Sequence, residues 1–246
     1  VVLITGPTGS GKTTTLYSAL SRLNSEEVDI ITVEDPVEYQ LHGINQVQVN
    51  PVTGLTFARG LRAILRQDPN IVMIGEIRDV ETAEIAVRAA MTGHMVLSTL
   101  HTNSAVNAIT RLIDMGVEPF LVSSSVNCIV AQRLVRRVCT ACAEDHVPTA
   151  DELTLLAEHG IEADVLKKGR GCAECGRSGY RGRIAIHEVL TLDDTLRSMI
   201  LHKRSDSDYR AYAMKQSYEP LVRDGLMKAA AGLTTMSEIY RVIGND

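Results

Sequence analysis

Short apolar runs alternate with amphipathic stretches along the first half of the chain. The apolar runs predict buried strands at Val1–Thr5, Ile30–Val33, Ile44–Val49, Ile71–Ile74 and Met95–Leu100. Between them, apolar residues recur at helical spacing, which predicts helices over Lys12–Leu23, Phe57–Arg66, Val80–Met91 and Ala105–Met115. Strands that alternate with helices in this way predict an α/β fold with a mainly parallel, three-layer sheet.

Two of these predicted helices have recognisable ends. Asp79 and Ser104 stand just before the helical spacing begins, and both residue types commonly cap the N terminus of a helix. Gly93 and Gly116 follow the last turns, where glycine ends many helices. The sequence therefore predicts where both helices begin and end.

The second half of the chain departs from this alternation. After about Cys139 we expect a cysteine-bearing loop region. It is followed by four predicted helical stretches, Leu192–His202, Ser207–Lys215, Pro220–Ala231 and Thr235–Ile243. The last stretch starts with Thr235 and has Glu238 three residues later, which is the spacing of a capping box.

Composition narrows the class of protein. The chain has 246 residues, of which 45% are hydrophobic, so a substantial core is expected. It carries 25 Lys and Arg against 30 Asp and Glu, a net charge of −5, and nucleic-acid-binding domains usually need a basic face. The sequence shows no apolar run of membrane-spanning length and no leader pattern, which predicts a soluble, cytosolic protein.

A glycine-rich segment lies between the first predicted strand and the first predicted helix. It reads Gly6-Pro7-Thr8-Gly9-Ser10-Gly11-Lys12-Thr13, a full match to G-x-x-x-x-G-K-[ST]. In such a loop the backbone N–H groups surround phosphate oxygens, and the lysine adds positive charge near the β and γ phosphates. We predict that this loop and the adjoining Thr14 bind ATP, that Lys12 also serves catalysis, and that Thr13 offers its hydroxyl to Mg²⁺.

Polar side chains directly follow three other predicted strands: Glu34 and Glu38 the second, Glu76 the fourth and His101 the fifth. Because ligands bind at the carboxyl ends of strands in open α/β sheets, we expect these side chains to converge on one site. Glu76 is the candidate for orienting the attacking water toward the γ-phosphate. Glu34 and Glu38 are candidates for holding Mg²⁺ through water or assisting the nucleophile, and His101 for sensing phosphate. Ordinary hydrogen-bonded residues at strand ends are the alternative interpretation.

Three arginines recur along one predicted helix. Arg59, Arg62 and Arg66 are three and four residues apart and therefore share a face. Such a row is usually a solvated surface, but in an oligomeric ATPase it can reach the γ-phosphate within a site or across a subunit boundary. Arg59 and Arg62 are included among the candidate nucleotide-binding residues, and both interpretations stay open.

Four of the five cysteines form two C-x-x-C pairs, Cys139 with Cys142 and Cys172 with Cys175. Two such pairs supply four thiolates for a tetrahedral ion, and zinc suits this ligand set. We predict a structural zinc site, because four protein ligands leave no position open for catalysis. The segment between the pairs is longer than usual, and two redox-active dithiols are the alternative. Cys128 lies outside both pairs, and we expect it in the core.

Taken together, these motifs resemble those of the secretion ATPase family that powers type II secretion and type IV pilus extension. The matching segments are the phosphate loop, an aspartate box at Thr32–Glu38, a Walker B element at Gly75–Asp79, a histidine box at Thr92–Thr102, the four cysteines and a helical tail. The resemblance covers essentially the whole chain in order. Gly75 stands where most P-loop ATPases have a Mg²⁺-binding aspartate; the family shares this departure, which leaves the carboxylate partners of Mg²⁺ open.

The resemblance also implies a domain organisation. We expect a RecA-like P-loop ATPase domain at residues 1–135, a tetracysteine zinc-binding subdomain at 136–184 and a helical C-terminal subdomain at 185–246. The chain starts on a predicted strand without an initiator Met, so we interpret it as a fragment. The upstream domain of the family, which contributes arginines to the site, is expected to be absent from it.

The implied cofactors are ATP, Mg²⁺ and Zn²⁺, and the implied assembly is a cytoplasmic homo-hexamer. Its partners would be the cytoplasmic domains of inner-membrane secretion or pilus-assembly proteins, which hold it peripherally on that membrane. We favour type II secretion over pilus extension because of the run from Phe57 to Pro69, and the cysteine pairs argue against the pilus retraction branch. A RecA-type DNA motor is disfavoured by the acidic charge and the 4% aromatic content, so no nucleic acid is expected. A scaffold that binds ATP without turnover is the other alternative.

Overall fold

Nine strands and ten helices lie within residues 1–216 and 218–244, the part of the chain that the computed structural model describes. The strands are β1 (Val2–Thr5), β2 (Ile30–Glu34), β3 (Asn45–Gln48), β4 (Ile71–Ile74), β5 (Met95–Leu100), β6 (Cys128–Val138), β7 (Ala143–His146), β8 (Leu166–Gly169) and β9 (Tyr180–Thr191). The helices are α1 (Lys12–Leu23), α2 (Phe57–Leu65), α3 (Val80–Met91), α4 (Ala105–Asp114), α5 (Pro119–Ser125), α6 (Ala150–Glu158), α7 (Asp194–Leu201), α8 (Asp206–Ala213), α9 (Leu221–Ala230) and α10 (Met236–Ile243).

Seven strands form one sheet in the order β3-β2-β4-β5-β1-β6-β9, and β7 pairs with β8 in a separate antiparallel ribbon. All neighbouring pairs from β3 to β6 are parallel. The five strands predicted from apolar runs are β1 to β5, and each ends within one residue of its predicted bounds. The predicted α/β fold with a mainly parallel sheet is therefore confirmed.

The strand register determines which residues reach the functional edge. Val33 pairs with Ile74, Ile74 pairs with Ser98, and Thr5 pairs with Leu100. Because these strands are parallel and in register, β2, β4, β5 and β1 end side by side. The segments that follow them leave the sheet at one edge.

Helices cover both faces of the sheet. Leu16 and Leu20 of α1 are buried against a cluster that includes Ile30 of β2, and full burial of each leucine contributes roughly 1.5–3 kcal/mol. Alternate residues of a strand share a face, so the side chain of Glu34 is on the α1 side as well. On the opposite face, a Cβ at Gly60 of α2 would lie 3.0 Å from Val33 Cγ2. The three-layer arrangement thus follows from the alternation along β2.

The prediction of a loop region after Cys139 is wrong, because residues 139–191 contain β7, α6, β8 and β9. Helix α5 and the long strand β6 were also not predicted. The 11 residues of β6 and the 12 of β9 mix arginine and other polar side chains with apolar ones. These strands therefore lack the continuous apolar runs that identified β1 to β5.

The predicted helix ends are confirmed. Asp79 Oδ1 accepts a hydrogen bond of 2.7 Å from the Thr82 N–H, and Ser104 Oγ accepts one of 3.2 Å from the Asn107 N–H. Gly93 and Gly116 adopt φ angles of 109° and 103°, in the left-handed region that ends helices.

The chain divides into two compact units. Unit 1 contains Val1–Ala131 and Val189–Tyr218, and unit 2 contains Gln132–Glu188 and Glu219–Asp246. The segment predicted as a helical C-terminal subdomain, residues 185–246, contributes α7 and α8 to unit 1 and α9 and α10 to unit 2. The predicted domain bounds, 1–135, 136–184 and 185–246, stay a prediction.

In unit 2, only half of the predicted capping box forms. Thr235 Oγ1 accepts from the Glu238 N–H at 3.3 Å, as expected. The Glu238 carboxylate, 1% exposed, instead accepts from Arg136 at 2.5 Å and from Arg241 at 2.8 Å. Burial by itself raises the pKa of Glu238, but the hydrogen bonds from Arg241 and Arg136 outweigh burial and lower the pKa to about 2.

This ion-pair cluster is expected to make unit 2 sensitive to acid. Because the pKa of Glu238 is lowered in the folded state, its contribution is fully present above the ordinary pKa of 4.5 and is lost as the pH falls through about 2. Both arginines are about half-exposed, so solvent screening limits the contribution to about 2 kcal/mol. Urea unfolding of Glu238→Gln should show this loss at pH 7, and the difference from the unchanged protein should shrink toward pH 2.

Glu174→Gln is the matched control for this measurement, because Glu174 forms an exposed pair with Arg181. It should change the free energy of unfolding by less than about 1 kcal/mol at either pH. An equal loss at pH 7 and near pH 2 in Glu238→Gln would show that packing, and not the charge of Glu238, supplies the stability.

Candidate active site and metal centre

The glycine-rich loop joins the end of β1 to the start of α1, as predicted. Gly9 and Gly11 have φ angles of 79° and 85°, which turn the backbone in a way that residues with side chains rarely adopt. Pro7, Thr8 and Gly9 are exposed. The ammonium group of Lys12 donates to the carbonyls of Gly6 at 2.8 Å and Pro7 at 3.1 Å.

The N terminus of α1 is suited to an anion. Gly11 occupies the cap position, so the cap residue itself has no side chain that could bond to the first amides of the helix. Uncapped helix amides and the helix dipole together favour a phosphate group. Thr13 is partly exposed in the first turn, and Thr14 beside it is exposed. Binding of phosphate at this loop stays a prediction.

Glu76 lies at the carboxyl edge of the sheet, just beyond β4. Its side chain is 15% exposed; one oxygen pairs with Arg78, and the other lies 3.4 Å from Nε2 of His101, beyond β5. Arg78 also lies 3.9 Å from Asp35, beyond β2. The hydrogen bond that Arg78 donates to the Glu76 carboxylate raises the pKa of Arg78. Two of the predicted site residues, Glu76 and His101, are thus brought into one cluster, whereas the β2 member of the cluster is Asp35 and not the predicted Glu34 or Glu38.

The space around Gly75 is too narrow for a Cβ atom to enter without a shift of its neighbours. A Cβ at residue 75 would lie 3.3 Å from Glu34 Cα and 3.4 Å from the Val33 carbonyl oxygen. Those neighbours are backbone atoms of β2, which cannot yield like a side chain. An aspartate at this position would therefore force the two strand ends apart.

Glu34 and Glu38 have different surroundings although both belong to the aspartate box. Glu34 is 2% exposed, and its carboxylate accepts hydrogen bonds from side chains of Tyr17, Thr32 and Gln46. The side chain of Glu38 is exposed. Of the two, only Glu38 is open to a ligand in this conformation.

A second connection at the edge, between β1 and β5, was not predicted. Thr5, fully buried just before the glycine-rich loop, accepts from the Thr102 N–H at 2.9 Å and donates to the Thr102 carbonyl at 3.0 Å. Thr102 follows His101 directly, so these bonds fix the segment that carries His101 to the base of the loop. Sequence separation hides this pair, because no local pattern links two threonines 97 residues apart.

The predicted arginine row forms ordinary surface contacts. Arg59 Nη1 donates to the Gly54 carbonyl at 2.8 Å, and Arg62 pairs with Glu81 of α3 at 2.6 Å. Arg62 and Glu81 are 48% and 58% exposed, typical of a solvated pair that adds little stability. A role for Arg59 or Arg62 toward nucleotide stays a prediction.

The four paired cysteines form a single cluster in unit 2. Their sulfur atoms all lie within 4.8 Å of one another, and Cys139 Sγ to Cys172 Sγ and Cys142 Sγ to Cys175 Sγ are both 3.9 Å. A tetrahedral zinc ion with Zn–S bonds near 2.3 Å requires S–S distances of about 3.8 Å. The four thiols therefore fit a zinc ion, and they form one four-sulfur group instead of two separate dithiols.

Backbone amides support this cluster. Cys142 Sγ accepts from the Gly171 N–H at 3.3 Å, and Cys175 Sγ accepts from the N–H groups of Cys172 at 3.1 Å and Gly179 at 3.3 Å. Such donors stabilise thiolates around a metal. The backbone amides of Cys172 and Gly179 lower the pKa of Cys175 to about 6, whereas burial raises the pKa of Cys142 to about 12.

Cys128 lies apart from the four-sulfur group, on β6. It is half-buried, and burial raises the pKa of its thiol.

Comparison with known proteins gives consistent matches along the chain. A family model described as Type II/IV secretion system protein matches residues 1–241. Type II secretion system protein E of Pseudomonas aeruginosa is 55% identical over 243 residues, which are 98% of this chain and 48% of that protein. Type IV pilus assembly ATPase PilB of Thermus thermophilus is 52% identical over 241 residues, 97% of this chain and 27% of that protein.

A solved structure shows the same fold. The pilus retraction motor PilT with bound ADP has a TM-score of 0.71 and 29% identity, over 98% of this chain and 60% of that chain. The present chain spans about half the length of the type II relative. Within the described residues, no helix has both the length and the apolar character needed to cross a membrane.

Proposed function

The chain belongs to the Type II/IV secretion system protein family, and from this premise we propose that it hydrolyses ATP to drive type II protein secretion. The observation that supports the proposal most directly is the glycine-rich loop beside Glu76 at one edge of a parallel sheet. An ATPase relative with ADP bound has the same fold. The energy would assemble a pilin-like pseudopilus from the cytoplasmic side of the inner membrane.

In the proposed reaction, residues Gly6 to Thr14 bind the phosphates of ATP. Lys12 exchanges the carbonyls of Gly6 and Pro7 for phosphate oxygens, a short movement because its ammonium group already lies over the loop. We propose that the Thr13 hydroxyl and the exposed carboxylate of Glu38 would hold Mg²⁺, which would neutralise phosphate charge.

Glu76 is the proposed group that orients the attacking water. Its carboxylate is held by Arg78 and lies near His101, so it has a defined position at the edge where the γ-phosphate would lie. A positioned carboxylate accepts a hydrogen bond from water and directs the oxygen lone pair toward phosphorus. His101 is placed to register the presence of the phosphate through the same carboxylate, and Arg59 and Arg62 are candidates for meeting phosphate across a subunit boundary.

Force generation is proposed to need a ring of six copies. Closure of the site around ATP would move domains within a homo-hexamer, and the motion would pass to cytoplasmic domains of inner-membrane secretion proteins. This arrangement would hold the protein in the cytoplasm, peripherally on the inner membrane. The four cysteines would hold a structural Zn²⁺ ion.

Type IV pilus extension is the second candidate function. The 52% identity to PilB supports it, whereas the 55% identity to a type II secretion protein favours secretion by a small margin. A DNA motor is a third possibility of a different class, and the net charge of −5 disfavours it. Stimulation of ATP turnover by DNA would reject both secretion and pilus assembly as the primary role.

Lys12→Ala tests whether the loop binds nucleotide. Loss of the ammonium group removes charge-assisted hydrogen bonds to phosphate, so ATP affinity should fall by about 30- to 100-fold. Titration of a fluorescent ATP analogue measures the dissociation constant, with Lys168→Ala at an exposed position of unit 2 as the matched control. Equal affinity in Lys12→Ala and the unchanged protein would place the nucleotide elsewhere.

A further inference from the structure

A buried carboxylate lies one strand end away from Glu76 without contacting solvent. Glu34 is 2% exposed. Its Oε1 accepts from Thr32 Oγ1 at 2.5 Å and Gln46 Nε2 at 3.1 Å, and its Oε2 accepts from the Tyr17 hydroxyl. A buried carboxylate is tolerated only when hydrogen bonds replace water, and here three side chains do so.

The sequence brings these groups together through two periodicities. Thr32 and Glu34 alternate with Val33 on β2, so both are on the face that α1 covers. Tyr17 comes four residues after Thr13 on α1, which places it one turn along the helix that begins at the phosphate loop. Tyr17 is itself only 1% exposed.

The Tyr17 hydroxyl also contacts the segment that carries Glu38. It accepts from the Glu38 backbone N–H at 3.2 Å and lies 3.3 Å from Gln46 Nε2. Gln46 holds the same segment from the other side, because its Oε1 accepts from the Leu41 N–H at 2.7 Å. The Tyr39 ring packs edge-on against Tyr17, with centroids 4.7 Å apart.

We propose that Tyr17 is a positioning residue that couples the phosphate-loop helix to the exposed Glu38, with buried Glu34 as its anchor and not as a ligand of Mg²⁺. The inference rests on the proposed ATP hydrolysis and assigns separate roles to the two glutamates of the aspartate box. A small movement of α1 when phosphate binds is transmitted through one hydroxyl to the Glu38 backbone. Glu34 holds the Tyr17 hydroxyl in position through one carboxylate oxygen, and Thr32 and Gln46 donate to the other oxygen.

The protonation state of Tyr17 suits this role. Burial, followed by the hydrogen bond to Glu34, raises the pKa of Tyr17 well above its usual range. The phenol is therefore protonated at neutral pH and has a hydrogen to donate to Glu34.

Tyr17→Phe tests the coupling, since it keeps the ring and removes only the hydroxyl. In steady-state assays on the full-length protein, kcat should fall about tenfold or more. KM and the dissociation constant for ATP should change by less than about threefold, because the phosphate loop itself is intact. Tyr39→Phe is the matched control; it removes the hydroxyl of the neighbouring ring, which is 54% exposed, and should leave kcat unchanged.

A Mg²⁺ titration tests whether Glu34 positions Tyr17 or binds Mg²⁺. Glu34→Gln should lower kcat without raising the Mg²⁺ concentration that gives half-maximal turnover, whereas Glu38→Gln should raise that concentration severalfold. The double variant Tyr17→Phe with Glu34→Gln should be no slower than the slower single variant, because both remove the same coupling. A raised Mg²⁺ requirement in Glu34→Gln, or fully additive losses in the double variant, would overturn the proposal.

Hydrogen exchange supplies a readout that does not need turnover. Nucleotide binding should slow exchange of the Glu38 amide in the unchanged protein, and Tyr17→Phe should lose this slowing while still binding nucleotide. If the unchanged protein binds nucleotide but hydrolyses none, the proposed function fails and the exchange result still decides the coupling. If Tyr17→Phe keeps the wild-type kcat and its Glu38 amide still exchanges more slowly with nucleotide bound, the coupling is refuted and the proposed ATP hydrolysis is not. If the unchanged protein binds no nucleotide, both the coupling and the proposed ATP hydrolysis are refuted.

Discussion

Replacing Glu76 by glutamine is expected to reduce ATP turnover by two orders of magnitude or more, about 3 kcal/mol of activation free energy. Glutamine keeps the size of the side chain and its contact with Arg78, so ATP binding should stay nearly unchanged. The lost feature is the negative charge that orients the attacking water. Because the side chain is 15% exposed and paired with Arg78, it has little freedom to rotate, and no other position of the side chain restores the lost charge.

Turnover and ATP affinity must be measured on the same preparation to make this test decisive. Glu27→Gln is the matched control, since Glu27 is exposed and precedes β2 at the opposite edge of the sheet. It should behave as the unchanged protein in both assays. Near wild-type hydrolysis by Glu76→Gln would remove this residue from the reaction, and loss of ATP binding would assign it to the binding step instead.

The parts of the site that sequence predicted are those encoded by neighbours in the chain. The phosphate loop is a contiguous motif between a strand and a helix, and Glu76 and His101 each follow an apolar run directly. Parallel strands in register then bring such residues together without further information. The central sheet could be predicted for the same reason, because β1 to β5 are continuous apolar runs.

The connections between these residues could not be predicted, because they join distant parts of the chain. Thr5 and Thr102 are 97 residues apart, and Tyr17 reads in sequence as an apolar position of α1. A polar hydroxyl on the buried face of that helix was the one available signal. At the predicted capping box, Glu238 accepts from Arg136, which is 102 residues away in the sequence, and not from the backbone N–H of Thr235.

The cysteine pairs show which structural features a spacing motif predicts and which it does not. Their spacing predicted one four-thiolate cluster, and the structure brings the four sulfurs together. It predicted nothing of the segment between the pairs, where β7, α6 and β8 form. Two C-x-x-C turns determine the ligand geometry locally, whereas the intervening elements depend on packing that the pairs do not encode.

Replacing Cys139 and Cys142 by serine is expected to abolish zinc binding and destabilise unit 2 by on the order of 5–10 kcal/mol. The unchanged protein should hold about one zinc ion per chain, in line with four thiolates for a tetrahedral ion. Cys139 and Cys142 are 1% and 5% exposed, so two hydroxyls would replace metal bonds in a site that water barely reaches. Metal analysis and limited proteolysis between residues 139 and 175 measure both effects.

Cys128→Ser is the control that separates metal loss from loss of a thiol. This cysteine is half-buried on β6 in unit 1, outside the four-sulfur group, so zinc content should stay at about one per chain and stability should fall by no more than about 1–2 kcal/mol. The predicted loss for the double variant is smaller than the roughly 10–16 kcal/mol that zinc contributes to an isolated zinc finger. The backbone pairing of β7 with β8 also contributes to the stability of unit 2. A metal-free preparation with four reactive thiols and wild-type resistance to protease would contradict the zinc assignment, since unit 2 would then fold on packing alone.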